Sequence, residues 1–218
     1  NLTLTLLGAG MLWFGWFGFN AGSALASNDN AALALVNTHV AAGAAAFAWA
    51  LVEWIKQGKP TALGVASGLV AGLVVITPAA GFVGPMSAVV MGLIAGPVCY
   101  GAVMMKGKLG YDDALDAFGI HGVGGALGAV LTGVFAAAAW GGTEGLIGGN
   151  SDLFIENIIG VVAAAIYSAL VTLVILKVLD VTIGLRVSND EESEGLDTNL
   201  HGEEGYHMGG AGALSGSE

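Results

Sequence analysis

The chain has 218 residues, of which 55% are hydrophobic and only 11% are charged, with a formal net charge of −11 at pH 7. Soluble domains typically hold about a quarter charged residues, so this composition excludes an ordinary soluble globular protein, and the apolar content excludes a disordered one. The 37 glycines follow no three-residue period, which excludes collagen, and no basic cluster is dense enough to predict a nucleic-acid partner. The composition therefore predicts an all-α polytopic membrane protein in a lipid bilayer.

Six apolar stretches are long enough to cross a membrane, which takes about 20 helical residues. They are predicted at about 2–25, 31–55, 63–80, 86–105, 114–140 and 154–184. The pair Asp112 and Asp113 suits the start of the fifth helix, because carboxylates complement the positive end of the helix dipole. Residues 1–186 are thus predicted to form a transmembrane domain of six helices, and residues 187–218 a separate acidic cytoplasmic tail.

The cations predict the orientation of these spans. Lys56 and Lys59 follow the second span, Lys106 and Lys108 follow the fourth, and Lys177 and Arg186 close the sixth, so all six fall on one side. By the positive-inside rule this side is cytoplasmic, so the first span begins in the cytoplasm and the tail ends there. The predicted location is the cell (inner or plasma) membrane. Glu53 lies three residues before Lys56, which predicts a simple ion pair on one helix.

The first span carries an aromatic face. Leu12, Trp16, Phe19 and Ser23 follow the spacing i, i+4, i+7 and i+11, which places them along one side of a helix. Aromatic rings attract cations, and a hydroxyl can accept a hydrogen bond from an ammonium-type donor. This face therefore suits recruitment of a small cation near the outer end of the span. An aromatic belt combined with core packing is the alternative, and spacing alone does not separate the two.

The fifth span contains His121, an ionisable residue at membrane depth, which by default indicates a pathway or site. The alternative is a neutral histidine bonded to a neighbouring helix. The same helix face offers no carboxylate, so a neutral imidazole lining a narrow pore is favoured. Gly122, Gly125 and Gly128 recur at helical spacings and predict close approach between helices. Structural roles near the pore are assigned to Gly122 and to Asp116, which suits a helix start.

The other metal-ligating side chains predict no metal site, and no cofactor is expected. His39 is interpreted as a structural residue, and His201 and His207 are isolated in the tail. The single cysteine, Cys99, excludes an internal disulfide framework and a cysteine-based metal site.

The tail differs from the spans in its charge: residues 187–218 hold eight carboxylates and no Lys or Arg. Such a composition predicts disorder, or folding only against a partner. Leu196, Leu200 and Tyr206 are spaced through the polar sequence like anchors, which favours a partner.

Several segments together resemble the ammonium transporter family (the Amt/Mep/Rh group). They are WFGFNAGS at 16–23, GKPTALGVASGLVAGLVVITPAAG at 58–81, DAFGIHGVGGALGAVLTGVF at 116–135, GLRV at 184–187, EGLD at 194–197 and HGEEGY at 201–206. Members have eleven transmembrane helices, arranged as two inverted five-helix halves plus a final helix, and assemble as homotrimers. The resemblance implies that this chain corresponds to helices six to eleven and the tail. The N-terminal half is then an expected partner, without which the chain is not expected to conduct.

The resemblance implies transport of ammonium or ammonia, not enzymatic catalysis. His121 resembles the second of two paired pore histidines, and Phe19 one of two stacked phenylalanines that gate the outer pore. Ser23 resembles a hydroxyl that contacts ammonium, and Trp16 a pore-wall aromatic, with Leu12 on the same face. Ammonium is expected to be recruited by this face and deprotonated before the apolar lumen, because an unaccompanied cation crosses apolar walls at high energetic cost.

The resemblance also implies that the tail docks a trimeric PII signal protein. The tail residues assigned to this contact are Glu194, Gly195, Leu196, Asp197, His201, Gly202 and Tyr206. An ammonium sensor that signals through this tail is the alternative function. A neutral-solute channel for water or urea is a weaker alternative, which the aromatic cation face disfavours.

Overall fold

The computed structural model describes residues 1–205, and its regular elements there are helices, which confirms the predicted all-α class. The α-helices are α1 Leu2–Gly22, α2 Asp29–Gln57, α3 Ala62–Ile76, α4 Pro85–Leu109, α5 Val123–Phe135, α6 Ala138–Gly141, α7 Ser151–Thr182 and α8 Asn189–Glu194. A π-helical turn, Phe118–Gly122, leads directly into α5. A 3₁₀ turn, Leu146–Gly148, precedes α7, and a second π-helical turn, Asp197–His201, follows α8.

Within the described residues, five helical segments are long and apolar enough to cross a membrane. They are α1, α2, α4, α7 and the combined segment Phe118–Phe135. The remaining apolar helix, α3, has 15 residues. Its span was predicted to reach residue 80, but the helix ends at Ile76 and continues as hydrogen-bonded turns. Pro78 explains this end, because proline has no N–H to donate to the preceding turn.

The fifth span is also shorter than the predicted 114–140. Asp116 has a φ of 57°, in the left-handed region, which interrupts any helix running through it. The π-helical turn begins two residues later, at Phe118. At the other end, Ala136 leaves the helical region with a ψ of 141°, and the short α6 is separate. The helical segment therefore occupies only the central part of the apolar stretch.

The chain divides into two compact units, Asn1–Ala165 and a second unit that begins at Ile166, within α7. In the first unit, α2 packs against α1, α3 and α4, and α5 packs against α3 and α4. The core of this unit consists largely of small residues, among them the fully buried Ala41, Ala45, Ala71 and Ala95. Small side chains matter here because they let helix backbones approach one another closely.

Two glycines show how close this approach is. A Cβ added at Gly96 of α4 would lie 2.7 Å from the Trp49 backbone nitrogen and 2.8 Å from the Ala45 carbonyl oxygen, both in α2. A Cβ added at Gly72 of α3 would lie 2.5 Å from the Ala41 carbonyl oxygen and 2.8 Å from the Ala42 Cα, both backbone atoms of α2. Helices α3 and α4 therefore contact the backbone of α2 directly, and no larger side chain fits between them.

The three glycines that the sequence predicted to lie at helix contacts behave differently from one another. A Cβ added at Gly128 would meet the backbone of Val75 in α3, as expected. At Gly125, an added Cβ meets nothing within 4 Å, and at Gly122 its near neighbour is the Phe118 ring of the same turn. Among the described residues, close contact between helices is thus seen at Gly128 but not at the other two.

The predicted ion pair between Glu53 and Lys56 is not formed in the part of the chain that the structure describes. The Glu53 side chain is buried, and it binds Thr61 instead. The carboxylate accepts hydrogen bonds from the Thr61 backbone nitrogen at 2.7 Å and from its hydroxyl at 3.1 Å. Thr61 is also the N-cap of α3, since its hydroxyl accepts a hydrogen bond from the Gly64 nitrogen at 2.9 Å. Glu53 therefore ties the end of α2 to the start of α3.

Buried amides tie the opposite end of the first unit. Asn37 of α2 is fully buried, and its Nδ2 donates to the carbonyls of Ala80 at 2.8 Å and Val83 at 2.7 Å. These carbonyls belong to the segment that joins α3 to α4. Asn20 of α1 donates to the Thr38 hydroxyl of α2 at 2.9 Å. In an apolar core, such bonds fix the register of neighbouring helices, because an unpaired polar group there is unfavourable.

We expect Gly96→Ala to destabilise the protein, because the new methyl group would overlap backbone atoms of α2. Overpacking of this kind typically lowers the free energy of unfolding by about 1–3 kcal/mol. Gly101→Ala is a matched control in the same helix, where an added Cβ meets nothing within 4 Å. It should preserve stability or raise it slightly, since alanine favours helix. Unfolding midpoints of the purified variants in detergent test this, and equal midpoints for both would contradict it.

Candidate functional site

Trp16 connects α1 to two other elements of the first unit. Its indole Nε1 donates to the hydroxyl of Thr77, just beyond α3, at 2.8 Å. That hydroxyl donates in turn to the Leu73 carbonyl at 2.7 Å. The Trp16 ring also stacks on the imidazole of His121, with centroids 6.4 Å apart and an interplanar angle of 24°. The indole is therefore held from one side and presents its face to the histidine.

His121 lies in the π-helical turn that precedes α5 and is exposed. It borders an open pocket of about 280 Å³ lined by Trp16, Val74, Thr77, Pro78, His121 and Gly125. A π-helical turn adds a residue to the helical ladder and occurs frequently at functional sites. The structure thus brings two of the predicted pathway residues, His121 and Trp16, into one pocket.

Phe19 extends this surface toward the end of α1. Its ring meets that of Trp16 edge to face, with centroids 5.9 Å apart, and 61% of the residue is exposed. A second groove, of about 590 Å³, is lined by Gly8, Met11, Leu12, Gly15, Trp16 and Phe19. Leu12, Trp16 and Phe19 therefore share one surface of α1, with aromatic rings at its centre.

Ser23 caps the C-terminal end of α1, and its hydroxyl donates to the Phe19 carbonyl at 2.7 Å. It lines a pocket of about 200 Å³ together with Phe19, Asn20, Ala24, Asn30, Ala34, Thr77, Ala80, Gly81 and Phe82. The Ser23 oxygen still has lone pairs with which to accept a hydrogen bond. Ser23 thus lies next to Phe19 but in a different pocket from His121.

Sequence reasoning missed two polar residues of this region. Asn20 is buried and lines the pocket of Ser23, and Thr77 holds the Trp16 indole. Each had a signal in the sequence: Asn20 is an amide inside an apolar span, and Thr77 is a hydroxyl directly before Pro78. Neither signal tells which helix the side chain faces, so the contacts themselves were not predictable.

Asp116 and His39, two further residues singled out in the sequence, also have defined partners. Asp116, predicted to cap a helix or serve a structural role, forms an ion pair with Lys106 of α4, while the neighbouring Asp113 caps the π-helical turn. His39 lies in an aromatic cluster, stacked on Trp13 with centroids 5.0 Å apart and next to Phe17 at 5.9 Å.

The tail, as far as it is described, through residue 205, contains α8 and the π-helical turn Asp197–His201. Ser188 and Glu191 form a reciprocal capping box at the start of α8, and Arg186 binds both carboxylate oxygens of Glu192 at 3.0–3.1 Å. Hydrogen bonds from Ser188 lower the pKa of Glu191, and backbone hydrogen bonds from Gly205 and Thr198 lower the pKa of Asp197. These carboxylates therefore act as local helix and turn caps in their ionised form.

The predicted partner-binding residues of the tail lie close together along the chain. Glu194 ends α8, Gly195 has a φ of 110°, and Leu196 precedes the π-helical turn that holds Asp197 and His201. Gly202, with a φ of 65°, ends that turn, and Tyr206 lies outside the described residues. The side chains of Leu196 and Leu200 are exposed, which leaves two apolar groups on the second unit's surface.

We expect Thr77→Val to disturb the site, because the Trp16 indole N–H would lose its acceptor in an apolar surrounding. An unsatisfied buried donor typically lowers the free energy of unfolding by about 1–3 kcal/mol. Thr77→Ser keeps the hydroxyl and is the matched control. Unfolding midpoints and the indole N–H resonance of Trp16 report the change. An unmoved resonance in Thr77→Val would show that the hydrogen bond does not hold the ring.

Comparison with known proteins identifies relatives of this chain. Residues 1–206 match the Ammonium Transporter Family. An ammonium transporter of Aquifex aeolicus is 57% identical over 209 residues, covering 95% of this chain and 49% of the relative. The ammonium transporter Amt1 of Archaeoglobus fulgidus is 50% identical over 206 residues, covering 94% of this chain and 52% of the relative. The chain therefore spans about half the length of the curated relatives it matches.

Solved structures agree with these matches. The crystal structure of Saccharomyces cerevisiae Mep2 superimposes with a TM-score of 0.83 at 39% identity, covering 87% of this chain and 44% of Mep2. A sensor Amt protein superimposes with a TM-score of 0.85 at 32% identity, covering 92% of this chain and 49% of that protein. Together with its apolar helices, these matches show that the chain is a multi-pass membrane protein and belongs to the ammonium transporter family.

Proposed function

We propose that the protein containing this chain carries ammonium or ammonia across a membrane, along a pathway past Phe19, Trp16 and His121. The observation that carries this proposal is the stacking of His121 on Trp16 in an open pocket between α1, α3 and the π-helical turn. Burying an imidazole in a membrane-spanning segment is energetically unfavourable, so its presence there by default indicates a pathway or site. The names of the relatives support ammonium as the substrate.

The outer part of the pathway suits recruitment of a cation. Phe19 and Trp16 offer ring faces, which attract cations, and Phe19 is largely exposed. The Ser23 hydroxyl and the Asn20 amide lie beside Phe19 and carry oxygen acceptors for an N–H donor. Ammonium, a small cation with four N–H donors, matches both features at once.

The inner part of the pathway suits a neutral molecule. The groove along Leu12, Trp16 and Phe19 is lined by glycine and apolar side chains, which cannot replace the hydration shell of an ion. We therefore infer that ammonium loses its proton to solvent water on the outer side, before this groove, and that ammonia is the species that passes. A neutral imidazole at His121 can donate to ammonia from one ring nitrogen or accept from it at the other.

The first unit also supports an orientation for this pathway. Lys56 lies in the last turn of α2, and Lys106 and Lys108 lie in the last turn of α4. Gln57 donates to the Tyr100 hydroxyl at 3.1 Å, so the end of α2 lies beside the C-terminal half of α4. We propose that this cationic side is cytoplasmic by the positive-inside rule, which places Ser23 on the outer side.

His121→Ala and Phe19→Ala in the full-length parent test the pathway. Loss of one polar contact worth about 1.4 kcal/mol in the transition state lowers a rate tenfold, so His121→Ala should reduce the maximum ammonium flux by about that factor. Loss of a cation–π contact of about 0.5–2 kcal/mol should raise the apparent KM of Phe19→Ala roughly 2- to 30-fold. Flux into proteoliposomes measures both parameters.

Phe14→Ala is the control, since Phe14 lies on α1, is 78% exposed and does not line the grooves described above. It should conduct like the wild type. Wild-type flux and KM in both His121→Ala and Phe19→Ala would refute the assignment of these residues.

An ammonium sensor that signals through its tail is the second candidate. Two observations favour it: the sensor Amt protein has a similar structure, and the tail forms α8 and a π-helical turn with Leu196 and Leu200 exposed. Exposed apolar side chains on an acidic, helical segment suit docking of a partner protein. We propose a PII signal protein as that partner.

The two candidates differ in what the full-length parent does without its partner. A transporter conducts ammonium in the absence of PII, and a sensor binds PII in an ammonium-dependent way with negligible flux. We expect flux in both the parent and its Leu200→Asp variant, and loss of PII binding in the variant, because a buried carboxylate in an apolar contact is unfavourable. Leu25→Asp, at an exposed loop position, is the charge-matched control. PII binding without flux would favour the sensor.

A further inference from the structure

A single lysine holds the loop that leads into the His121 turn. The Lys106 ammonium group, in the last turn of α4, donates to the Asp113 carbonyl at 2.7 Å and forms an ion pair with the Asp116 carboxylate. It therefore bridges the two ends of a four-residue segment, 113–116, which only Ala117 separates from the π-helical turn. A lysine has three donors, so one ammonium group can satisfy both contacts at the same time.

The bridged segment has a conformation that needs support. Asp116 has a φ of 57°, in the left-handed region that non-glycine residues adopt only when their surroundings require it. Its carbonyl accepts a hydrogen bond from the Ile120 nitrogen at 3.0 Å, within the π-helical turn. Moving Asp116 out of this region would therefore redirect an acceptor on which the turn depends.

Asp113 supplies the second anchor of the turn. Its carboxylate accepts hydrogen bonds from the backbone nitrogens of Ala117 and Phe118, each at 2.9 Å. These N–H groups stand at the start of the helical segment and lack partners in the preceding turn. Lys106 binds the carbonyl of this same residue, so the cap and the ion pair belong to one connected cluster.

The turn also lies directly on α4. A Cβ added at Gly119 would come within 2.8 Å of Val103 Cγ2 and 3.1 Å of the Val103 nitrogen. Helix α4 therefore contacts the turn at Val103 and clamps its preceding loop at Lys106, one turn further along. The imidazole of His121 projects from this turn onto Trp16.

We propose that Lys106 is a positioning residue for His121: its bridge to Asp113 and Asp116 maintains the left-handed Asp116 and the π-helical turn that place the imidazole against Trp16. In the sequence alone, this lysine indicates only the membrane topology. A π-helical turn holds one more residue than an α-helical turn, so its relaxation to α-helix would rotate His121 by roughly 100° about the helix axis. For its effect on flux, this inference rests on the proposed function.

Lys106→Ala in the full-length parent tests the inference, with Lys106→Arg as the conservative variant. Lys108→Ala is the matched control, since Lys108 lies in the same turn of α4 and is exposed. The first readout is the ring ¹⁵N resonances of His121 in reconstituted membranes, assigned with His121→Gln. The second is ammonium flux, with the KM and the maximum rate determined separately.

Lys106→Ala should shift the His121 resonances and lower the maximum flux about tenfold, since a displacement near 1 Å is enough to reduce a rate by one to two orders of magnitude. The KM should stay within about twofold, because the outer recruitment residues are untouched. Lys106→Arg should keep the resonances and most of the flux, and Lys108→Ala should match the wild type.

Asp116→Ala extends the test, because alanine cannot bind Lys106 and adopts the left-handed conformation only at an energetic cost. This variant should also shift the His121 resonances, since the turn loses its ion pair. Should Lys106→Ala not yield folded protein, Lys106→Gln and Asp116→Ala provide the same comparison. Resonances of His121 that stay at the wild-type positions in these variants overturn the inference.

A loss of flux with unmoved His121 resonances likewise overturns positioning as the cause. The failure of the proposed function has a different signature. A wild-type parent without ammonium flux would refute transport, whereas the His121 resonances would still decide whether Lys106 positions the imidazole.

Discussion

The contact of α3 and α4 with the backbone of α2 is the constraint on which the first unit depends. Apolar side chains provide little driving force for helix association inside a bilayer, since lipid tails are equally apolar, so packing and polar ties decide the arrangement. Gly72 brings α3 against the Ala41 carbonyl oxygen and Gly96 brings α4 against the Ala45 carbonyl oxygen, and both alanines have no exposed surface. Because the neighbouring atoms are backbone atoms, this interface has one geometry and little room to adjust.

The candidate site lies outside that interface, but the interface determines the relative positions of the helices that carry the site. Trp16 is held by Thr77 at the end of α3, and the His121 turn lies on Val103 of α4. Since α2 fixes α3 and α4 relative to each other, it indirectly fixes the distance between the indole and the imidazole. Among the residues proposed to contact a substrate, Trp16 is half-buried, and the exposed ones are Phe19, Ser23 and His121. Thr77 and Lys106, which position the site, instead donate to backbone carbonyls.

Features that depend on composition and spacing could be predicted from the sequence, whereas features that depend on backbone conformation could not. The apolar composition predicted the all-α class, and the helical spacing of Trp16 and Phe19 predicted that they share a surface. The π-helical turn was not predictable, since it depends on the positive φ of Asp116 and on a lysine ten residues earlier. The bond of Glu53 to Thr61 was missed for a related reason: local spacing favoured Lys56, but the chain reversal after α2 brings Thr61 closer.

The ion pair of Lys106 and Asp116, here called the charged clamp, lies away from His121, and the energetic cost of placing charge in a membrane explains this position. An ion pair beside the imidazole would lie in the apolar part of the span, where each charge is expensive to desolvate. Lys106 and Asp116 instead lie at the end of α4 and in the loop, where both side chains keep partial contact with solvent. The π-helical turn transmits their constraint over five residues, from Asp116 to His121. This arrangement keeps the imidazole free of a charged neighbour from the clamp, so that both ring nitrogens remain available for exchange of hydrogen bonds with a neutral substrate.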